Sequence, residues 1–146
     1  LVAGSFIGMF LGPHGLLPKS WYWLGHQGWE YVELGKVWQI ILGIVFVIWA
    51  LTIYRGIKPV MKVKQPWALP NWLVYVTFSI LLLLISGFIA TPKTNFVIAD
   101  FWRWMVVHMW AEAFFEVFTT VLIGYFMVLM GLINKKEAIR VIYLAT

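Results

Sequence analysis

Three ionisable residues stand four apart within the third apolar run of the sequence. They are His108, Glu112 and Glu116, at positions i, i+4 and i+8. Because an α-helix advances about 100° per residue, each step of four turns by only about 40°, and the three residues share one helix face. An ionisable side chain at membrane depth costs about 2.5–3.5 kcal/mol on insertion scales. The stripe therefore predicts a compensating partner, for which a metal ion or a proton is suited.

The ligand types indicate which metals would suit the stripe. The spacing puts the His108 imidazole and the Glu112 carboxylate within reach of one metal ion, and nitrogen plus oxygen ligands suit iron, zinc or manganese better than a soft metal. Glu116 lies about 12 Å beyond His108 along the axis, too far to share that ion. We expect Glu116 to support Glu112 or to handle protons, since two neighbouring carboxylates at a dry site suit proton transfer.

A second acidic pair precedes the first long apolar run. Glu30 and Glu33 stand about one helical turn apart and precede an apolar helix. Carboxylates near a helix N-terminus stabilise the helix, which is one interpretation of the pair. A hard-cation site is the rival interpretation, because carboxylate oxygens bind Ca²⁺ readily. His14 and His26 lie in the same segment without ligand spacing, and we predict that both are loop or interface residues.

The composition excludes a soluble domain. Of 146 residues, 62% are hydrophobic and 12% charged, about half the charge density of an average soluble domain. The absence of Cys excludes disulfides, thiolate metal sites and Cys nucleophiles. The net charge of +5 comes from basic residues that lie between apolar runs and flank no RNA-binding motif, so we expect no nucleic-acid partner.

Three apolar runs are long enough to cross a bilayer as helices. They cover residues 34–54, 69–90 and 102–133, with partial spans at 1–11 and 138–146 and an amphipathic loop at 12–33. Prolines separate the runs, and no internal repeat is present. The sequence predicts an all-α membrane protein with a single transmembrane helical domain. It also has the character of an internal part of a longer chain.

The basic residues predict the orientation of the spans. Four of them crowd residues 55–68 and three lie close after the third run, whereas 12–33 and 91–101 carry one each. By the positive-inside rule, 55–68 and 134–137 are predicted to be cytoplasmic and 12–33 and 91–101 to lie outside. Arg103 is predicted to extend towards the outer interface.

Two stretches resemble a known enzyme family. Residues 102–116, WRWMVVHMWAEAFFE, resemble the metal-binding helix of nitric oxide reductase catalytic subunits, which belong to the haem–copper oxidase superfamily. Residues 21–36, WYWLGHQGWEYVELGK, resemble the quinol-dependent, single-chain form. The likeness extends over nearly the whole chain in span order. Haem–copper oxidases proper keep the His but lack the Glu one turn later. Ala111 and Ala113 stand where Val and Gly would be expected.

The resemblance implies a role for each candidate residue. His108 corresponds to one of three His ligands of a non-haem iron, and Glu112 to its carboxylate ligand. Glu116 matches a glutamate that supports this site and is linked to proton delivery. Glu30 matches the ligand of a calcium that bridges haem propionates, and Glu33 its neighbour in the propionate region.

The resemblance also implies the reaction and the setting. Nitric oxide would be reduced to nitrous oxide at a haem b₃ and non-haem iron centre, with electrons that a haem b relays from quinol. The protein would lie in a prokaryotic cytoplasmic membrane, among lipid. The haem ligands and two iron-binding histidines are expected on other helices of the same subunit or polypeptide. These 146 residues alone are therefore not expected to be active.

Other interpretations remain open from the sequence. A nitric oxide dismutase-like relative would share the scaffold but alter the iron ligands. A proton- or ion-coupled transporter would use Glu112 and Glu116 as its carrier pair, with no haem. A structural membrane subunit would pair the ionisable stripe with another subunit.

Overall fold

The computed structural model describes residues 2–12, 14–16, 21–29, 32–62 and 64–145, almost entirely in helices. The elements in chain order are α1 (Val2–Leu11), α2 (Trp21–Leu24), β1 (His26–Trp29), β2 (Val32–Leu34), α3 (Lys36–Ile57), a 3₁₀ turn (Lys58–Val60), α4 (Leu69–Ile89), α5 (Phe96–Leu129) and α6 (Lys135–Ala145).

Three helices are long enough and apolar enough to cross a membrane. α3 with its 3₁₀ turn has 25 residues, α4 has 21 and α5 has 34. Large apolar side chains stand exposed along all three, among them Ile48, Leu82 and Ile123. Continuous apolar surface of this kind is unusual on a water-soluble monomer. The prediction of a helical chain with three helices of spanning length is confirmed.

Local capping sets both ends of α5. Asn95 accepts a hydrogen bond from the backbone N–H of Val97 at 3.0 Å, so the helix begins at Phe96, six residues before the predicted start. Gly131, at φ 72°, ends it: its N–H donates to Val128 O, and the N–H of Leu132 donates to Met127 O. This Schellman arrangement satisfies the last carbonyls and ends the helix at Leu129 rather than near residue 133.

The segment predicted as an amphipathic loop contains short regular elements. α2 is one helical turn, and β1 and β2 pair antiparallel, with His26 opposite Leu34. A Cβ on Gly35 would stand 2.5 Å from the carbonyl oxygen of Trp23, so only glycine allows this close approach. The hairpin is a departure from an entirely helical fold.

The chain divides into two compact units. One consists of Leu1–Val47 and Leu83–Val107, and the other of Ile48–Leu82 and His108–Thr146. In the second unit, Asn71 is buried and anchors the loop after α3, since its amide donates to Lys62 O and Gln65 O and accepts from the N–H of Lys62. These bonds satisfy loop backbone groups between two apolar helices.

A buried cation anchors the first unit. Lys36, the first residue of α3, is 7% exposed, and its Nζ donates to Gly87 O at 3.1 Å and to the Gln39 side chain at 3.3 Å. Gly87 lies in the last turn of α4, where the helix dipole favours a positive charge. The Nζ also stands 5.3 Å from the centre of the Phe88 ring.

We predict that Gly87→Ala destabilises the protein. A Cβ there would lie 3.0 Å from Gln39 Nε2, in the side chain that accepts from Lys36, and 3.3 Å from Val106 Cγ2, so both side chains must move by a few tenths of an ångström. Overpacking of this kind costs about 1–3 kcal/mol, which should lower the thermal unfolding midpoint in detergent. Gly43→Ala is the matched control, because its nearest neighbour, the Phe88 ring, is 3.6 Å away. Equal midpoints for the two variants would contradict the prediction.

Candidate functional site

The middle of α5 is a π-helix rather than an α-helix. The ten residues Met109–Phe118 are π-helical, and α-helix flanks them on both sides. π-Helical turns, with i→i+5 hydrogen bonds, are rare and frequently mark functional sites. Glu112 and Glu116 both lie inside this segment, and His108 is the residue that immediately precedes it. The unusual backbone therefore coincides with the ionisable stripe.

The structure brings His108 and Glu112 into direct contact. The imidazole Nδ1 and the carboxylate Oε2 form a hydrogen bond, which is also an ion pair when the imidazole is protonated. The side chains are 45% and 50% exposed, so the pair lies on the helix surface and not in its packed side. A π-helical turn holds more than four residues, so a step of four falls slightly short of a turn and keeps the two side chains on one face.

Glu116 occupies the next position of the same spacing. It is exposed, as are Ala111, Glu112 and Phe115. The exposed face of the π segment thus carries two carboxylates within a helix of spanning length. Ionisable groups in such helices normally face a bundle interior or a water-filled cavity.

Aromatic packing holds the opposite side of the π segment. The Trp49 ring lies 5.2 Å from Phe118 and 6.1 Å from Phe114, and Phe114 and Phe118 stack at 5.7 Å. Met109 and Ala113 are buried on this side. The packed side fixes the rotation of the segment, and with it the outward direction of His108 and Glu112.

Thr119 stabilises the end of the π segment. Its hydroxyl donates to Phe114 O at 3.1 Å, while its backbone N–H donates to Glu116 O. The Phe114 carbonyl, five residues before Thr119, thus accepts from a side chain at the point where the backbone returns to α-helix. The Thr119 hydroxyl compensates for this change of pattern.

The donor atoms fit a metal ion in part. The His108 nitrogen and the Glu112 oxygen lie side by side, and a nitrogen and an oxygen ligand are the kind of pair that iron, zinc or manganese takes. Among the residues that the structure describes, no three His, Asp or Glu side chains gather closely enough to hold a metal. A complete site would need at least one further ligand from elsewhere.

The residues of the second predicted site lie mostly outside the described part of the chain. Glu30 is outside the described residues, and Glu33 is described only by its backbone in β2. His26 lies in strand β1 and not in a loop, and its side chain is outside the described part of the chain. His14 lies in the turn after α1, where its Nδ1 is hydrogen-bonded to Phe10 O at 2.7 Å and its ring stacks on Phe10. This local pairing agrees with the prediction that His14 is a loop residue.

Sequence reasoning assigned no role to Lys36 and did not foresee the π segment. A lone Lys at the first position of an apolar run was a usable signal, because a cation there must be solvated or find carbonyl oxygens. Arg103, predicted to extend to an interface, pairs with Asp100 one turn earlier on α5. That pairing follows from their i, i+3 spacing.

The comparisons with known proteins add no family. No protein-family model matches the chain, and no curated protein sequence matches it significantly.

We predict that Thr119→Val destabilises the protein. The substitution keeps the side-chain shape but removes the donor to the part-buried Phe114 O, and the loss of one such hydrogen bond costs about 0.5–1.5 kcal/mol. Thr52→Val is the control, since Thr52 donates to Ile48 O within the regular helix α3, four residues apart. Thermal unfolding midpoints in detergent should be lower for Thr119→Val than for Thr52→Val, and the opposite order would refute the role of Thr119.

Proposed function

We propose that the chain is part of the catalytic subunit of a quinol-dependent nitric oxide reductase of the haem–copper oxidase superfamily. The observation that carries the proposal is the contact between His108 and Glu112 at the start of a π segment. This contact links the nitrogen and the oxygen donor that the resemblance assigns to non-haem iron. The three helices of spanning length support the membrane setting that the proposal requires.

The proposed reaction joins two nitric oxide molecules, two electrons and two protons into nitrous oxide and water. In it, His108 and Glu112 would hold the non-haem iron, which supplies a Lewis-acidic, redox-active partner to a haem. Glu112 brings a negative charge that offsets a cation in a medium of low dielectric constant, and its hard oxygen suits iron. The aromatic packing of Trp49 against Phe118 keeps both donors in position.

Proton supply is the proposed role of Glu116. It is exposed on the same face as Glu112, within an apolar helix where water is otherwise excluded. Its carboxylate can accept a proton on one oxygen and release it towards Glu112, which shortens the distance that a proton must cross without a carrier.

Glu30 and Glu33 are proposed to bind calcium and to stand near the haem propionates. We propose that quinol is the electron donor. The protein is proposed to lie in a prokaryotic cytoplasmic membrane, with residues 12–33 and 91–101 on the outer side.

Removal of either donor should remove the iron. In the intact protein, Glu112→Ala and His108→Ala should lower the non-haem iron content towards zero and lower nitric oxide consumption by more than about 10-fold. Mutation of a residue that only hydrogen-bonds to a metal ligand already lowers metal affinity or activity by about 10-fold or more. Iron is measured by elemental analysis against haem absorbance, and turnover with a nitric oxide electrode and quinol. Glu137→Ala is the matched control, an exposed Glu on α6 that should change neither quantity.

Two results would refute this assignment. Unchanged iron in Glu112→Ala would show that its carboxylate is not a ligand. An intact protein with no haem absorbance and no iron, but with proton-coupled transport that Glu112→Ala abolishes, would establish the transporter instead.

Glu116→Gln should separate proton supply from iron binding. The amide keeps the size of the side chain but carries no proton, so we expect normal iron content and turnover about 100-fold lower, the range of general acid–base contributions. Glu116→Asp is the matched variant that keeps a carboxylate, and it should retain more activity than Glu116→Gln. Equal loss in both variants, or loss of iron in either, would assign Glu116 a structural role.

A further inference from the structure

Most of the positive charge of the chain lies in two short segments of the second unit. Seven of the eleven Lys and Arg residues fall within residues 55–64 and 135–140, and Glu137 is the one acidic residue in these segments. Five of the cations, in the loop before α4 and on α6, are exposed: Lys62, Lys64, Lys135, Lys136 and Arg140. Both segments adjoin the ends of spanning helices, since one follows α3 and the other follows α5.

An aromatic contact joins the two segments into one surface. The Trp67 ring, in the loop before α4, meets the Tyr143 ring of α6 at 6.4 Å in an edge-to-face arrangement. Trp67 also lies 5.6 Å from Trp72, on the first turn of α4. Trp67 and Tyr143 remain 59% and 65% exposed, so they are not core residues of this unit. The cations near them in sequence therefore border a common aromatic patch.

The cations and the aromatic ring of α6 share one side of that helix. Lys136, Arg140 and Tyr143 stand at i, i+4 and i+7, which places them on one face. The other face packs inward through Ala138 and Ile142, which are 2% and 1% exposed. Asn134 caps the helix by accepting from the N–H of Glu137 at 3.3 Å. α6 is thus held in a fixed orientation with its basic face outward.

We propose that this face binds the headgroups of anionic phospholipids. The surface, called here the basic–aromatic surface, consists of Lys62, Lys64, Trp67, Lys136, Arg140 and Tyr143. Its net charge is complementary to phosphate, and Trp and Tyr rings are the side chains that prefer the headgroup level of a bilayer. The apolar Leu144, 85% exposed beside Tyr143, suits the acyl side of that interface.

The geometry favours a lipid over a free phosphate. A soluble phosphate ligand is normally held in a concave site, whereas these cations project from a convex helix and a loop at the ends of apolar spans. A bilayer presents many anionic headgroups in a plane, which scattered cations contact together. Each Lys or Arg near such a surface contributes about fivefold in affinity.

Spin-labelled lipids test the proposal on the intact protein in a bilayer. The association of spin-labelled phosphatidylglycerol relative to phosphatidylcholine is measured by electron paramagnetic resonance. The native protein should prefer phosphatidylglycerol, and Arg140→Gln should lower this preference about fivefold. Lys136→Gln should act similarly, and 1 M salt should weaken the preference, because the screening length falls to about 3 Å. Since both residues are exposed, the variants should fold, which gel filtration checks.

Lys93→Gln is the matched control. Lys93 is an exposed cation in the turn that follows the C-terminal end of α4 and is not part of the basic–aromatic surface. Its removal changes the net charge equally and should leave the preference within about twofold. Equal effects of Lys93→Gln and Arg140→Gln would overturn the proposal, because net charge alone would then explain the preference. No native preference, or loss of the preference with millimolar inorganic phosphate at constant ionic strength, would overturn it as well.

Discussion

The cost of an ionisable group inside an apolar helix is the constraint on which this structure depends. Three such groups in the described spans find their partners in different ways. Arg103 pairs with Asp100 one turn away, Lys36 donates to a carbonyl oxygen at the end of another helix, and His108 contacts Glu112. The first two pairings join groups of opposite charge or a cation and a carbonyl oxygen within the chain. The third is half exposed and leaves ligand positions open, which distinguishes a candidate site from structural pairing.

The π segment connects this pair to the fold. A π-helix exchanges the regular hydrogen bonds of the α-helix for poorer ones, so it persists only where packing compensates for the difference. Here Phe114 and Phe118 stack under Trp49, and Thr119 supplies a hydroxyl where the pattern changes. The wider turn keeps a step of four residues close to one revolution. Packing on one side of the helix thereby determines which chemistry the other side presents.

Much of the fold was predictable from the sequence, and the remainder depended on specific contacts. Hydropathy found all three long helices because about 20 apolar residues have few alternatives to a spanning helix. The ends of α5 depended on Asn95 and Gly131, whose capping geometry cannot be read from the hydropathy of the run. The π segment was not predictable, since its balance against the α-helix lies in packing between distant residues. The pairing of His108 with Glu112 followed from spacing alone, because either helix type keeps i and i+4 adjacent.

The exposure of the ionisable face has a consequence for how such a site would be completed. The side of α5 that packs against Trp49 is filled, and the side with Ala111, Glu112 and Glu116 is open among the described residues. In a bilayer, exposing that open side to lipid would cost roughly 2.5–3.5 kcal/mol for each ionisable group. Additional helices that cover it would therefore gain free energy from burying the apolar neighbours and from pairing the carboxylates. A cation or hydrogen-bond donor on this side would offset the charge of the carboxylates, so covering the side and pairing its ionisable groups are energetically coupled.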